Sequence, residues 1–377
     1  MMGIGVEILE VVKPWLESLH GYELRGEYYR TTWRDFLTSN ETLIFLALLT
    51  AAGIYFGRNY LTSMPKWMGA SILIILVLLS PLNTSLWGSW LDSPLIPGEY
   101  FPYFFNLEML QRAFIAAIMV TIVAGFLGVF LLIQNLALIG DGLAHVSFGG
   151  VVVGVVYGAT QPLDYALVFS IVSAILIYEL QSRGILTGDA AIAIFLTGTL
   201  ALGLVILRVK GGGLTTDIEG YLFGNLLLID EVNLDRIALI SVIAVVVLSV
   251  MRSAVLACAI DPLAARIQGL PVRIVGLIFA VTTAAVVVSM VQVVGALLVT
   301  ALLVTPAATA KQVGHSFRSC LIWTQIFGLT SVIGGIYLSA EYDSGSGSMI
   351  ALFAAVVFGI VVIGKSAIQL IIRTNVN

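Results

Sequence analysis

From residue 108 to residue 371 the chain is a nearly continuous series of apolar runs, most of them close to the length a lipid bilayer demands. A helix needs roughly 20 apolar residues to cross the hydrocarbon core. Runs at 108–133, 138–158, 163–182, 189–208, 234–257, 274–292, 295–310, 319–339 and 348–371 are the candidate spans. The stretch 274–310 is too long for one helix and barely allows a tight re-entry at Gln292 to Gly295, so eight or nine spans fit this region. Two earlier runs, 42–57 and 67–83, are further candidates, separated by Arg58 and Lys66. Residues 1–41 mix charges with Trp15, Tyr28, Tyr29 and Trp33; they are too charged for a signal peptide and read as an interfacial amphipathic segment. A polar and aromatic loop, 84–107, follows the early spans. Only 11% of residues are charged, against about 25% in soluble domains, which excludes a water-soluble core of this size. The expected fold is an all-α polytopic membrane bundle. Residues 1–104 form an N-terminal extension, and 105–377 carry the main helical domain.

Lysine and arginine in short loops mark the cytoplasmic side. Arg58, Lys66, Arg183, Arg266, Arg273, Lys311, Arg318 and Arg373 fall on one side. The opposite loops hold Asp164, Asp217, Glu219, Asp230, Glu231, Glu341 and Asp343, with Arg208, Lys210 and Arg236 as exceptions. The C-terminus is then inside. The net charge of −4 and the lack of a basic cluster give no reason to expect nucleic acid. Cys258 and Cys320 lie in separate apolar runs, form no CxxC pair, and read as small packing residues. Glycines at 125, 128, 149, 150 and 154 fall inside helices, where small residues let membrane helices approach closely.

One apolar run carries an ionisable pair, in Ile139-Gly-Asp-Gly-Leu-Ala-His-Val-Ser-Phe-Gly-Gly150. Asp141 and His145 are four residues apart, on one helix face. Ionisable groups at membrane depth are costly and usually face a bundle interior or a water-filled path. A carboxylate plus an imidazole is half of a first-row divalent metal site, and a two-fold dimer would supply the other half. The pair also suits a proton relay, or a histidine satisfied by a core carbonyl. It does not choose among zinc, manganese and iron.

Three other stretches stand out. In Asp261-Pro-Leu-Ala-Ala-Arg-Ile-Gln-Gly-Leu-Pro271, Asp261 is an N-cap, Pro262 suits the first helical position and Gly269 a stop. The result is a short cytoplasmic helix, either a well-capped loop or a helix that docks on a soluble partner. Pro306, inside Val293–Ala310, breaks or kinks its helix near Leu302, where Thr305 and Thr309 can satisfy freed backbone. Tyr221–Asn225, beside Asp217 and Glu219, is an external amphipathic turn, and Asp343–Gly347 a flexible outward turn. His20 reads as interfacial, His315 as solvated and Met290 as core. No GxxxxGK[ST] loop occurs, and Lys210-Gly-Gly-Gly has the wrong order for one, so any ATP hydrolysis belongs to another chain.

Leu110–Phe114, Ile139–Gly150, Tyr221–Asn225, Asp261–Pro271 and Val294–Ala310 together resemble, in this order, the permease subunits of ABC importers for zinc, manganese and iron(II), the ABC-3 family. The resemblance covers about 105–372. It implies a homodimeric permease of the vitamin-B12-importer (type II) fold. Its partners would be two cytoplasmic ATP-binding subunits and an extracytoplasmic metal-binding protein. It further implies metal-path roles for Asp141 and His145, and an ATPase-coupling role for the helix carrying Asp261, Ala265, Arg266 and Gly269. No cofactor is permanently bound; the divalent metal ion is cargo. The location implied is a prokaryotic cell membrane. The chain departs from the family at Gln134 and Asn135, where an arginine pair is usual, and at Gly345, where a proline is usual. The Val146–Gly150 continuation is more like the zinc branch. The rival reading is a secondary transporter or channel using the Asp–His pair without ATP. A third is an intramembrane assembly subunit with no transport. An importer of chelated iron or cobalamin is disfavoured, because a caged metal needs no direct protein ligands.

Overall fold

The computed structural model describes residues 108–210, 216–224, 229 and 231–376. The early spans at 42–57 and 67–83, the segment 1–41, His20 and the 84–107 loop lie outside the described residues. All described elements are helices: α1 (Glu108–Ile133), α2 (Ile139–Val156), α3 (Pro162–Ser182), α4 (Gly188–Lys210), α5 (Thr216–Phe223), α6 (Glu231–Ile260), α7 (Pro262–Ile267), α8 (Val272–Val294), α9 (Val299–Leu303), α10 (Thr305–Val313), α11 (Phe317–Glu341) and α12 (Ser346–Val376). Eight of them (α1–α4, α6, α8, α11 and α12) are long and apolar enough to cross a membrane.

The expected span at 295–310 takes a different form. A turn at Gly295 leads into α9, and α10 follows after a kink at Val304. Proline 306 lacks the N–H that would continue the ladder to Leu302, which places the break here. Thr309 Oγ1 donates to the Thr305 carbonyl at 2.7 Å. The kinked pair runs alongside α12: Gly347 packs on the Val294 carbonyl at one end, and Lys365 Nζ donates to the Gln312 carbonyl at 2.7 Å at the other. Eighteen helical residues between Gly347 and Lys365 rise about 27 Å, close to the hydrocarbon thickness. The kinked pair is therefore a ninth crossing. An odd count puts the start of α1 and the end of α12 on opposite sides, as the basic loops require.

The helices sort by burial. The α1 span is 89% buried, with α2 and α8 next, whereas the spans of α4 and α12 are only 17% buried. Packing relies on small residues. On α2, a Cβ on Gly149 would lie 2.6 Å from the Thr199 carbonyl of α4, and one on Gly150 2.8 Å from Ala166 Cα of α3. Met290 is fully buried in the core, and both cysteines are free and half-buried. At the outer end two of the three basic exceptions are partnered: Arg236 pairs with Asp164 at 2.9 Å, and Lys210 reaches the Tyr157 hydroxyl at 3.4 Å.

Outer-end geometry turns on a backbone junction. The N–H groups of Ala296 and Leu297 donate to the carbonyls of Tyr221 and Leu222, at 2.9 and 3.1 Å, pinning the end of α5. Gly295 has φ 87° and ψ 155°, a region open essentially to glycine, and lies against the Gly224 backbone with no room for a side chain. The Tyr221 turn is thus an anchored helix end. Asn225 and the side chains of Asp217 and Glu219 lie outside the described residues.

Candidate metal path and coupling helix

Asp141 sits in the first turn of α2, where a carboxylate is favoured by the helix dipole. Its Oδ1 lies 3.8 Å from His145 Nε2, with the two side chains 35% and 15% exposed. Two cis ligands at zinc bond lengths sit about 3.4 Å apart, so a small rotamer adjustment lets one ion bridge them. His145 Nδ1 is buried and has no hydrogen-bond partner among the described residues. An unpaired polar atom at this depth is costly unless something else visits it.

The flanking glycines explain the setting. Ile192 of α4 occupies the space where Gly142 would carry a Cβ, and Leu303 of α9 lies 2.6 Å from the corresponding point on Gly140. Asp141 is therefore held in a slot between α4 and the kinked crossing. From Tyr157, at the outer end of α2, sixteen residues place Asp141 about 24 Å below the outer surface. Among the described residues no three His, Cys, Asp or Glu side chains come close enough to hold an ion.

The second candidate region is the short helix α7, at the basic end of the bundle. Asp261 adopts φ −148°, ψ 97°, and its Oδ1 accepts from the N–H groups of Leu263 and Ala264 at 2.9 and 3.0 Å. Pro262 takes the first helical position. Gly269 has φ 82°, and closes α7: its N–H bonds the Arg266 carbonyl, and the Leu270 N–H bonds the Ala265 carbonyl, at 3.0 and 3.1 Å. Ala265 is buried under the helix, while Arg266 is exposed with Leu263 and Ile267. An apolar pair and a cation thus face the soluble side. The Tyr178 hydroxyl donates to the Val272 carbonyl at 3.3 Å, and Arg273 pairs with Glu179, fastening the start of α8 to the end of α3. His315 is exposed, as its basic loop predicts.

Sequence reasoning anticipated the contact between Asp141 and His145 and the caps of α7. It did not find the roles of Gly140 and Gly142, since their partners are 163 and 50 residues away. Nor did it find the Glu179–Arg273 pair; only Arg183, four residues from Glu179, carried a local signal.

Known proteins agree with this architecture. Residues 106–365 match the ABC 3 transport family. Over 262 residues the chain is 31% identical to the manganese transport system membrane protein MntC of Halalkalibacterium halodurans, covering 69% of this chain and 89% of that protein. It is 30% identical over 251 residues to the high-affinity zinc uptake system membrane protein ZnuB of Haemophilus influenzae, covering 67% and 95%. Among solved structures, PsaBC from Streptococcus pneumoniae in complex with Fab aligns with a TM-score of 0.61 at 30% identity, over 69% of this chain and 95% of that one. A structure described as an inward-facing ABC transporter of metal-chelate type shares the fold, with a TM-score of 0.56 at 17% identity, over 80% and 99%. With eight long apolar helices, a kinked ninth crossing and a family match over most of its length, the chain is a multi-pass prokaryotic membrane protein and belongs to the ABC 3 transport family as a permease component.

Proposed function

We propose that this chain is the membrane subunit of an ATP-driven importer for a divalent first-row metal ion, with residues 105–377 forming the permease and 1–104 an added extension. The observation that carries this reading is the Asp141–His145 pair, 3.8 Å apart in a glycine-framed slot, with Nδ1 unpartnered. Two such pairs about a two-fold axis make a four-ligand set, so the working unit is a homodimer. Relatives named for manganese and for zinc both support the class. The Val146–Gly150 continuation favours zinc; iron(II) suits the same donor set less specifically.

In this reading the chain hydrolyses nothing. Two cytoplasmic ATP-binding subunits dock on α7 through Leu263, Arg266 and Ile267, with Asp261, Ala265 and Gly269 holding the helix in shape. An extracytoplasmic metal-binding protein delivers the ion. Because α7 joins α6 to α8, and α8 is fastened to α3, displacement of α7 is passed directly into the bundle.

The test is uptake of zinc, manganese and iron(II) in cells expressing the chain with its ATPase and binding protein, against an ATPase-dead control. Uptake of one ion that ceases with the ATPase supports the reading and names the cargo. Uptake indifferent to the ATPase would replace it with a secondary transporter.

A further inference from the structure

At the basic end of the bundle a cavity of about 620 Å³ opens between the α1–α2 loop, α3, α6 and α8, with α7 at its mouth. Ile139, the first residue of α2, also lines it, while Asp141 and His145 do not. Its mouth carries Arg183, Arg266 and Arg273 against a single carboxylate, Glu179. Three cations less one anion leave two positive charges. Glu179 is shared by Arg183 and Arg273, while Arg266 has no hydrogen bond or ion pair among the described residues.

The lining changes character with depth. From Arg273 the wall climbs along α8 through Val275 and Phe279 to Ala280, about 10 Å of rise. Ile177 and Val255 face it from α3 and α6. A cationic rim at headgroup level above an apolar shaft matches an amphiphile with an anionic head. It does not match a free phosphate, which has nothing to place in the shaft, nor a metal ion, which the arginines repel. Basic pockets between transmembrane helices on the cytoplasmic side are suited to acidic lipid headgroups, and arginine forks pair bidentately with phosphate oxygens.

We propose that this cavity binds an anionic phospholipid, phosphate on Arg183, Arg266 and Arg273 and one acyl chain along Val275, Phe279 and Ala280. Arg266 belongs to both the rim and α7, so the bound headgroup steadies the coupling helix. This site is independent of the identity of the transported ion.

Cys258 lines the same cavity and reports its occupancy. The test uses the full-length chain with its ATPase partner, carrying Cys320→Ser so that Cys258 is the one remaining thiol, reconstituted in nanodiscs. N-ethylmaleimide labelling of Cys258 is timed in phosphatidylcholine alone and in phosphatidylcholine with phosphatidylglycerol or cardiolipin. Anionic lipid should slow labelling about fivefold, the effect of filling four sites in five. Arg183→Gln with Arg273→Gln should abolish the slowing. Glu179→Gln, which frees both arginines, should reach the same protection at less anionic lipid, a gain that misfolding cannot mimic. Equal labelling rates in every lipid would overturn the proposal. So would protection in phosphatidylcholine alone, or equal protection by millimolar inorganic phosphate, which would mark a small-anion site. Protection that appears with the ATPase subunit in any lipid, and vanishes without it, would assign the cavity to that partner instead.

Discussion

Replacing Asp261 with alanine removes the one side chain that starts α7. Two backbone N–H groups, those of Leu263 and Ala264, lose their acceptor. Loss of an N-cap of this kind costs about 1 kcal/mol, which lowers the ratio of formed to unformed helix about fivefold. A helix of six residues has no propensity reserve to absorb this. Hydrogen exchange at Leu263 and Ala264 should therefore accelerate by about that factor, and metal uptake should fall by up to the same factor if the intact helix transmits the ATPase stroke. Asn and Ser at 261 can accept the same bonds and should restore both readouts. Glu reaches too far to cap and should not. The opposite ranking, with Glu active and Asn inactive, would refute the cap argument and give Asp261 a charge contact with a partner. Unchanged exchange in Asp261→Ala would refute it outright.

Asp141→Ala and His145→Ala should each lower metal uptake at least about tenfold, the loss of one ligand contact of ~1.4 kcal/mol or more, with membrane expression and dimerisation unchanged; normal uptake in both would remove the site. Gly142→Ala forces a methyl into the space held by Ile192, an overpacking cost of about 1–3 kcal/mol. Its uptake should drop, and adding Ile192→Ala should recover it; no recovery would mean that the slot does not set the position of Asp141. Gly295→Ala combines a φ of 87° with backbone contact to Gly224. It should lower the detergent melting temperature by several degrees, at a strain of about 1–3 kcal/mol, as followed by size-exclusion after heating; an unshifted transition would show that the junction relaxes freely.

Much of this molecule is legible along the chain because its determinants are local. Runs of apolar residues set the spans, and Asp261, Pro262 and Gly269 set α7, since a cap and a stop act within five residues. Pro306 announced its kink by the N–H it lacks. Asp141 and His145 were visible because their four-residue spacing is itself a helix contact. The crossing at 295–310 was harder to settle: length alone could not tell a tight re-entry from a kinked span, and contacts with α12, some 50 residues on, decide it.

Hydropathy determined by itself that the chain is a membrane bundle, and spacing determined which ionisable pair lies inside it. Which helices form the centre was left to the tertiary structure: α1 and α12 read as comparably apolar runs, yet one is almost wholly buried and the other mostly exposed. The physical reason is that lipid tails are as apolar as leucine, so a side chain facing lipid and one facing a neighbouring helix meet the same hydrophobic requirement. Close approach at glycine distinguishes them, and that depends on partners distant in sequence. The same holds for the arginine-rimmed cavity, where Arg183, Arg266 and Arg273 become one site only when α3, α7 and α8 converge.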